Sequence, residues 1–263
     1  MHFLIYILTV FFATMCGSSA GVGGGVVIKP MFDLLTHDPT FLINFYSSSA
    51  IFTMAVISVI KQHRNGFQFK FKMLSIIGLG SIIGGFIGQK ILRFSAIYMI
   101  PKDLRILQSI CLTIFLAVVL TYSLIKNKLP HFKVENLLVT FIIGLLLGTM
   151  SVFLGIGGGP LNVAIMMILF SYDMKSAAVY SVGIIVFSQG TKLLMTAFNV
   201  VKGSALLHID PVVFILVIVS AILGAFTGTF LNKRLSNKYL SLIYNSVLIV
   251  LIFVTLHNTL VLL

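Results

Sequence analysis

The sequence predicts an all-α polytopic membrane protein of seven or eight transmembrane helices, arranged in two homologous halves that each carry a glycine-broken helix or re-entrant segment. Three observations predict it. Of 263 residues, 59% are hydrophobic and only 9% charged, where a water-soluble domain carries roughly a quarter. The apolar residues gather into eight runs near 2–20, 40–60, 71–92, 104–125, 134–154, 176–200, 211–232 and 239–262, each close to the roughly 20 residues that span a bilayer. Finally, Gly21-Val22-Gly23-Gly24-Gly25 recurs as Gly155-Ile156-Gly157-Gly158-Gly159, an offset of 134 residues that also carries Tyr46-Ser47 onto Tyr180-Ser181. A slightly longer offset carries Gly84 and Gly88 onto Gly224 and Gly228. The repeat divides one integral membrane domain, 1–263, into halves 1–130 and 131–263.

The first run could pass for a secretory signal, since Phe3 to Val10 leads to Gly17-Ser18-Ser19-Ala20. It lacks a basic leader, and its counterpart Leu137 to Leu154 is internal, so it is read as a membrane helix. Two further apolar pieces, Val26–Leu35 and Pro160–Phe170, follow the glycine motifs and are about ten residues long. They are too short to span, which predicts half-helices or re-entrant segments. Asp38-Pro39, Asn65-Gly66, Asn127-Lys128-Leu129-Pro130 and Asp210-Pro211 supply the turns. The joint around Lys126 to Lys133 is short, so the halves should pack as one unit.

The net charge of +12 sits in short loop clusters, which predicts orientation and lipid contact and no nucleic-acid partner. On eight alternating spans the basic residues divide nine against eight. Either the glycine-rich run 71–92 does not fully cross, or the halves are inverted, which needs an odd number of crossings in each. Cys16 and Cys111 lie in apolar runs and define no disulfide. His2, His37, His63, His131, His208 and His257 show no metal-ligand spacing, and no nucleophile with an acid-base partner suggests an enzyme or a cofactor.

Consecutive glycines interrupt a helix. At membrane depth the freed backbone is tolerated only inside protein or against a watery cavity. The half-helix that follows offers unpaired N–H groups and a positive dipole end, which favour an anion, and Pro30 and Pro160 suit such helix starts. Two breaks in corresponding places point to a transport site between the halves. The spaced glycines Gly80, Gly84, Gly88, Gly144, Gly148, Gly224 and Gly228 read instead as close helix packing.

The candidate substrate-binding residues are therefore Gly23, Gly24, Gly25 and Lys29 in the first half and Gly157, Gly158, Gly159 and Asn162 in the second. Ser181, Ile185, Ser188 and Lys192 form one helical stripe with Gln189 beside it. A lysine so deep in an apolar run should face the protein interior unless it snorkels. Lys29 lies four residues past its break, with Asp33 one turn on as an alternative partner. Ser47 and Ser181, at matching places, offer hydroxyls to an oxyanion or to their own helices.

The doubled Gly-x-Gly-Gly-Gly-x-x-x-x-Pro signature, from Gly21 to Pro30 and again from Gly155, resembles the TauE/SafE family of sulfite and organosulfonate exporters, as does the glycine-rich third run of each half. The second copy departs from it, with Ala164 at the proline position and a proline at Pro160. The resemblance implies a multi-pass permease of the bacterial cytoplasmic membrane that moves a small anion such as sulfite or a sulfonate. A proton as coupling ion and a homodimer are further expectations. The rival reading is a non-transporting scaffold or assembly protein whose glycines only pack helices.

Overall fold

A computed structural model describes residues 2–36, 38–125, 132–201 and 209–262. His37, His131, His208, Lys202 and residues 126–131 of the joint lie outside the described residues. The protein is helical, with α1 His2–Ala20, α2 Gly25–Leu35, α3 Thr40–Arg64, α4 Phe71–Tyr98, α5 Pro101–Ile125, α6 Leu137–Leu154, α7 Gly159–Phe170, α8 Met174–Val201, α9 Pro211–Arg234 and α10 Asn237–Leu262. Eight of these, all but α2 and α7, are long and apolar enough to cross a membrane. Each half thus contributes five helices, the second a half-length one.

Helix ends follow local chemistry. Asn136 and Asp210 cap α6 and α9 by accepting from the N–H groups two and three residues on. Pro211 occupies the first turn of α9, where no donor is needed. Residues 21–24 and 155–158 fall between helices. There Gly157 and Gly158 take φ of +77° and +70°, a region that side chains with a Cβ strongly disfavour.

Two polar clusters mark the ends of the bundle. At one, the Tyr6 hydroxyl donates to the Asp38 carboxylate, Tyr6 packs against Phe32 with ring centroids 4.9 Å apart, and the Asp210 N–H donates to the Tyr46 hydroxyl at 3.1 Å. The start of α1, the end of α2 and the starts of α3 and α9 therefore lie together. At the other end, the N–H groups of Phe132 and Val134 donate to the carbonyls of Ile168 and Leu169, and the Lys70 N–H donates to the Tyr180 hydroxyl at 2.7 Å. The approach to α6, the end of α7 and the starts of α4 and α8 lie together there. The Lys175 N–H also donates to Asn237 Oδ1, and its ammonium to the Lys233 carbonyl, which adds the end of α9 and the start of α10.

Two helix pairs pack through spaced glycines. Glycines of α4 meet α6, where a Cβ on Gly84 would strike the Leu145 carbonyl and one on Gly148 that of Ser81. Gly224 and Gly228 of α9 meet α1 at Thr14, Phe11, Met15 and Ser18. The first helix of each half is thus held by the fourth helix of the other, through glycines that let backbones approach. Tyr46 and Tyr180 serve the same purpose on opposite ends, each accepting from the residue just before the fourth helix of the other half. Tyr46→Phe and Tyr180→Phe should each lower stability by about 1 kcal/mol, since each strands one backbone donor. Thermal unfolding in detergent checks this, and very different losses would mean the two ends are not equivalent.

Candidate functional site

The two glycine stretches meet in the middle of the protein. A Cβ on Gly159 would strike the Val22 carbonyl, and one on Gly25 would lie 2.8 Å from the Ile156 oxygen. Ser181 ties them together, since its hydroxyl is 2.7 Å from the Gly21 carbonyl and 3.1 Å from that of Gly159. Both carbonyls can only accept, so this hydroxyl is engaged between the two breaks. Ser188 bonds back to the Ile185 carbonyl of its own helix at 3.3 Å. Ser47 is fully buried and its hydroxyl has no partner.

Around the second break the polar groups are different, because they are buried and unpartnered. Lys192 is 5% exposed, Asn162 1% and Gln189 0%, yet the Lys192 ammonium and both amide groups lack any hydrogen bond. A Cβ built on Gly158 would lie 3.0 Å from Ser151 Oγ and 3.4 Å from Asn162 Oδ1, and one on Gly157 3.7 Å from Gln189 Nε2. Lys192 follows Gln189 by three residues on α8, and so stands on the same side of the helix. The Ser151 hydroxyl is unpartnered too. The N–H groups of Gly157 and Gly158 donate to no backbone carbonyl among the described residues, and they stand at the start of α7, where the helix dipole is positive.

Burial of an unpartnered polar group costs on the order of 1–3 kcal/mol, and more for a charge. Ser151, Asn162 and Gln189 stand around the Gly157–Gly158 turn, with Lys192 one turn further along α8, and no carboxylate is among them; their unpartnered hydroxyl, amide N–H and ammonium groups are donors of the kind that bind an anion.

The first break is less symmetric with this than the sequence suggests. Gly23 and Gly24 have φ of +71° and +25°, and the amides of Val27 and Ile28 return to the Gly24 carbonyl within the first turn of α2. Lys29 is buried, but its ammonium donates to Gln108 Oε1 at 3.0 Å and to the Leu154 carbonyl at 3.2 Å rather than to Asp33. A Cβ on Gly155 would lie 3.1 Å from that ammonium and 3.2 Å from Asn44 Oδ1. Sequence reasoning missed Ser151, Asn44 and Gln108. A lone Gln108 in an apolar run carried the same signal as Lys192, whereas Ser151 is one of many small hydroxyls and only its place before Gly155 sets it apart.

Ten helices, eight of them long and apolar enough to cross a membrane, define a multi-pass membrane protein. The family model described as Sulfite exporter TauE/SafE matches residues 6–255, and the chain belongs to that family. No curated protein and no solved structure matches the chain.

Proposed function

We propose that the protein is a secondary transporter or facilitator of a small anion, such as sulfite, a sulfonate or a similar oxyanion or carboxylate, in the bacterial cytoplasmic membrane. The anion sits at the Gly157–Gly158 turn and draws on Asn162, Gln189, Ser151 and Lys192. The observation that carries this reading is the set of buried donors without acceptors beside an unpartnered ammonium. An anion there could accept from the Lys192 ammonium, the Ser151 hydroxyl and the amide N–H groups, while the amide oxygens of Asn162 and Gln189 would need other partners. The first break, from Gly23 to Gly25 with Lys29 and Ser47, supplies the facing wall, and rocking of one half against the other would expose the site to either side.

The halves are read as inverted. The helix pair α1–α2 starts and ends at the Tyr46 end of the bundle, and α6–α7 does so at the Tyr180 end. Each pair therefore makes no net crossing, which leaves three net crossings per half. Among the described residues, Lys61, Arg64, Lys70, Lys72, Lys133, Lys175, Lys233, Arg234 and Lys238 lie towards the Tyr180 end, against Lys90, Arg93, Lys102 and Arg105 towards the other. The bias of nine against four favours a cytoplasmic Tyr180 end. In a variant with Cys16 and Cys111 replaced by Ser, Lys102→Cys should react with an impermeant maleimide in intact cells, and Lys238→Cys only after lysis. The opposite pattern would reverse the orientation.

Uptake of labelled sulfite and of a short sulfonate into proteoliposomes tests the transport reading. Saturable flux supports it. A folded protein that moves none of a panel of small anions would overturn it in favour of a scaffold.

A further inference from the structure

A cavity of about 210 Å³ lies between α2, α5 and α10, towards the Tyr46 end, with Leu154 at the end of α6 in its wall. Its polar lining comes from Lys29 and Asp33 of α2, Arg105, Gln108 and Ser109 of α5, and Thr255 and Asn258 of α10. The Lys29 ammonium makes two hydrogen bonds, which leaves one of its three N–H groups unused. Arg105 is half-buried and has no hydrogen-bond partner among the described residues. Asp33 stands one helical turn from Lys29, and its Oδ1 is buried and unpartnered. The remaining carboxylates among the described residues, Asp38, Asp103, Glu135, Asp173 and Asp210, lie at helix ends or in the links between helices. Among the described carboxylates, Asp33, half-buried two residues before the end of α2, is the one that lines this cavity beside Lys29 and Arg105. On the opposite half the Tyr244 hydroxyl of α10 donates to the Pro160 carbonyl at 2.7 Å.

The charges facing one another in this cavity are Lys29 and Asp33 from α2 and Arg105 from α5, while α10 presents only neutral Thr255 and Asn258. With the cavity empty, ionised Asp33 balances part of the two positive charges. A small oxyanion entering beside Lys29 and Arg105 competes for the same cations and brings a second negative charge next to the carboxylate. A proton on Asp33 removes that repulsion. We propose that the transported oxyanion also occupies this cavity, as a station on its way to or from the Gly157–Gly158 turn, and does so together with one proton, the anion on Lys29 and Arg105 and the proton on the Asp33 carboxylate. The inference rests on the transport reading above and adds the coupling ion to it.

The sign follows from linkage. An anion beside Asp33 makes the carboxylate hold its proton more tightly, so a proton is taken up from solvent as the anion binds. Reciprocally, the anion binds more tightly as pH falls, by at most about tenfold per pH unit for one linked proton.

The test uses methanesulfonate, which stays a monoanion at every pH employed, with the full-length protein in proteoliposomes that contain a pH-sensitive dye. Wild-type protein should carry methanesulfonate inwards, acidify the lumen as it does so, and transport faster as the external pH is lowered. Asp33→Asn, which imitates the protonated carboxylate, should bind methanesulfonate with an affinity that no longer depends on pH, and any flux it supports should proceed without acidification. Flux in the wild type without proton movement would overturn the inference, as would an Asp33→Asn variant that still moves protons with the anion. An Asp33→Asn protein that elutes as folded but no longer binds methanesulfonate at equilibrium would also overturn it, because the carboxylate would then hold the cavity together. Absence of flux in the wild type for every anion is a different failure, since it removes the transport reading itself.

Discussion

Lys192→Met should make the protein more stable and at the same time lower anion flux tenfold to a hundredfold. The two effects have opposite sign because the ammonium is buried without a partner in the substrate-free protein. Exchange of an uncompensated buried charge for an apolar side chain of similar length commonly raises stability by about 1–3 kcal/mol. The same exchange takes from a bound anion a charge-assisted hydrogen bond worth about 1.5–3 kcal/mol, which is the flux loss expected if that contact is made in the transport cycle. Thermal unfolding in detergent and initial uptake rates in proteoliposomes read the two quantities separately. A Lys192→Met protein with wild-type flux would remove Lys192 from the site. A destabilised one would mean that the ammonium is held by the fold rather than kept free for a ligand.

Membrane character, the helical class and the positions of the long spans were legible in the sequence because each rests on local apolar content, and all eight runs correspond to long helices. The same is true of the spaced glycines, whose period alone announces a packing face. Orientation was not legible. Counted as alternating spans, α1 and α6 each reverse the side of everything that follows, which separates Lys175, Lys233, Arg234 and Lys238 from Lys61, Arg64, Lys70 and Lys72. In the fold Lys175 contacts Asn237 and Lys233 at the end where Lys70 meets Tyr180. The deciding fact is that α2 and α7 fold back along the bundle, and that depends on contacts such as Tyr6 with Phe32 and Phe132 with Ile168, more than 25 residues apart.

Individual site residues were legible as types but not as partners. Lys192, Asn162 and Gln189 could be picked out because polar residues in apolar runs are costly. Whether each is satisfied is a tertiary matter: Lys192 is unpartnered, whereas Lys29, drawn from the same kind of signal, is bonded to Gln108 on a helix 79 residues away. The repeat itself misleads in this respect. It aligns Ser47 with Ser181, yet Ser181 joins the two breaks through the Gly21 and Gly159 carbonyls while the Ser47 hydroxyl has no partner.

Gly159→Ala should cost upwards of about 3 kcal/mol and leave little folded protein, although it adds one methyl group to the first turn of a helix. The backbone of Gly159 has no positive φ, so alanine is not excluded by conformation. It is excluded by contact: the added Cβ would fall on the Val22 carbonyl and 2.6 Å from the Gly23 nitrogen, all of them main-chain atoms that no rotamer change can move. Overpacking of a close-packed interior usually costs about 1–3 kcal/mol, and more where backbone must shift. Gly85 in α4 is the internal control. Its Cβ would meet Val152 Cγ2 at 3.4 Å and Thr191 Cγ2 at 3.5 Å, ordinary contacts, so Gly85→Ala should gain up to the roughly 1 kcal/mol by which alanine exceeds glycine in a helix. The unfolding midpoint measured by size-exclusion in detergent should therefore fall sharply for one variant and hold or rise for the other. The same geometry shows why alanine scanning cannot separate a transport site from a packing surface in this protein. Gly84 and Gly148, in the spaced rows, abut main-chain carbonyls as closely as Gly159 does, so alanine would unfold both kinds of position. The distinction has to be drawn at side chains such as Lys192 and Asp33, where a ligand and the fold make opposite demands.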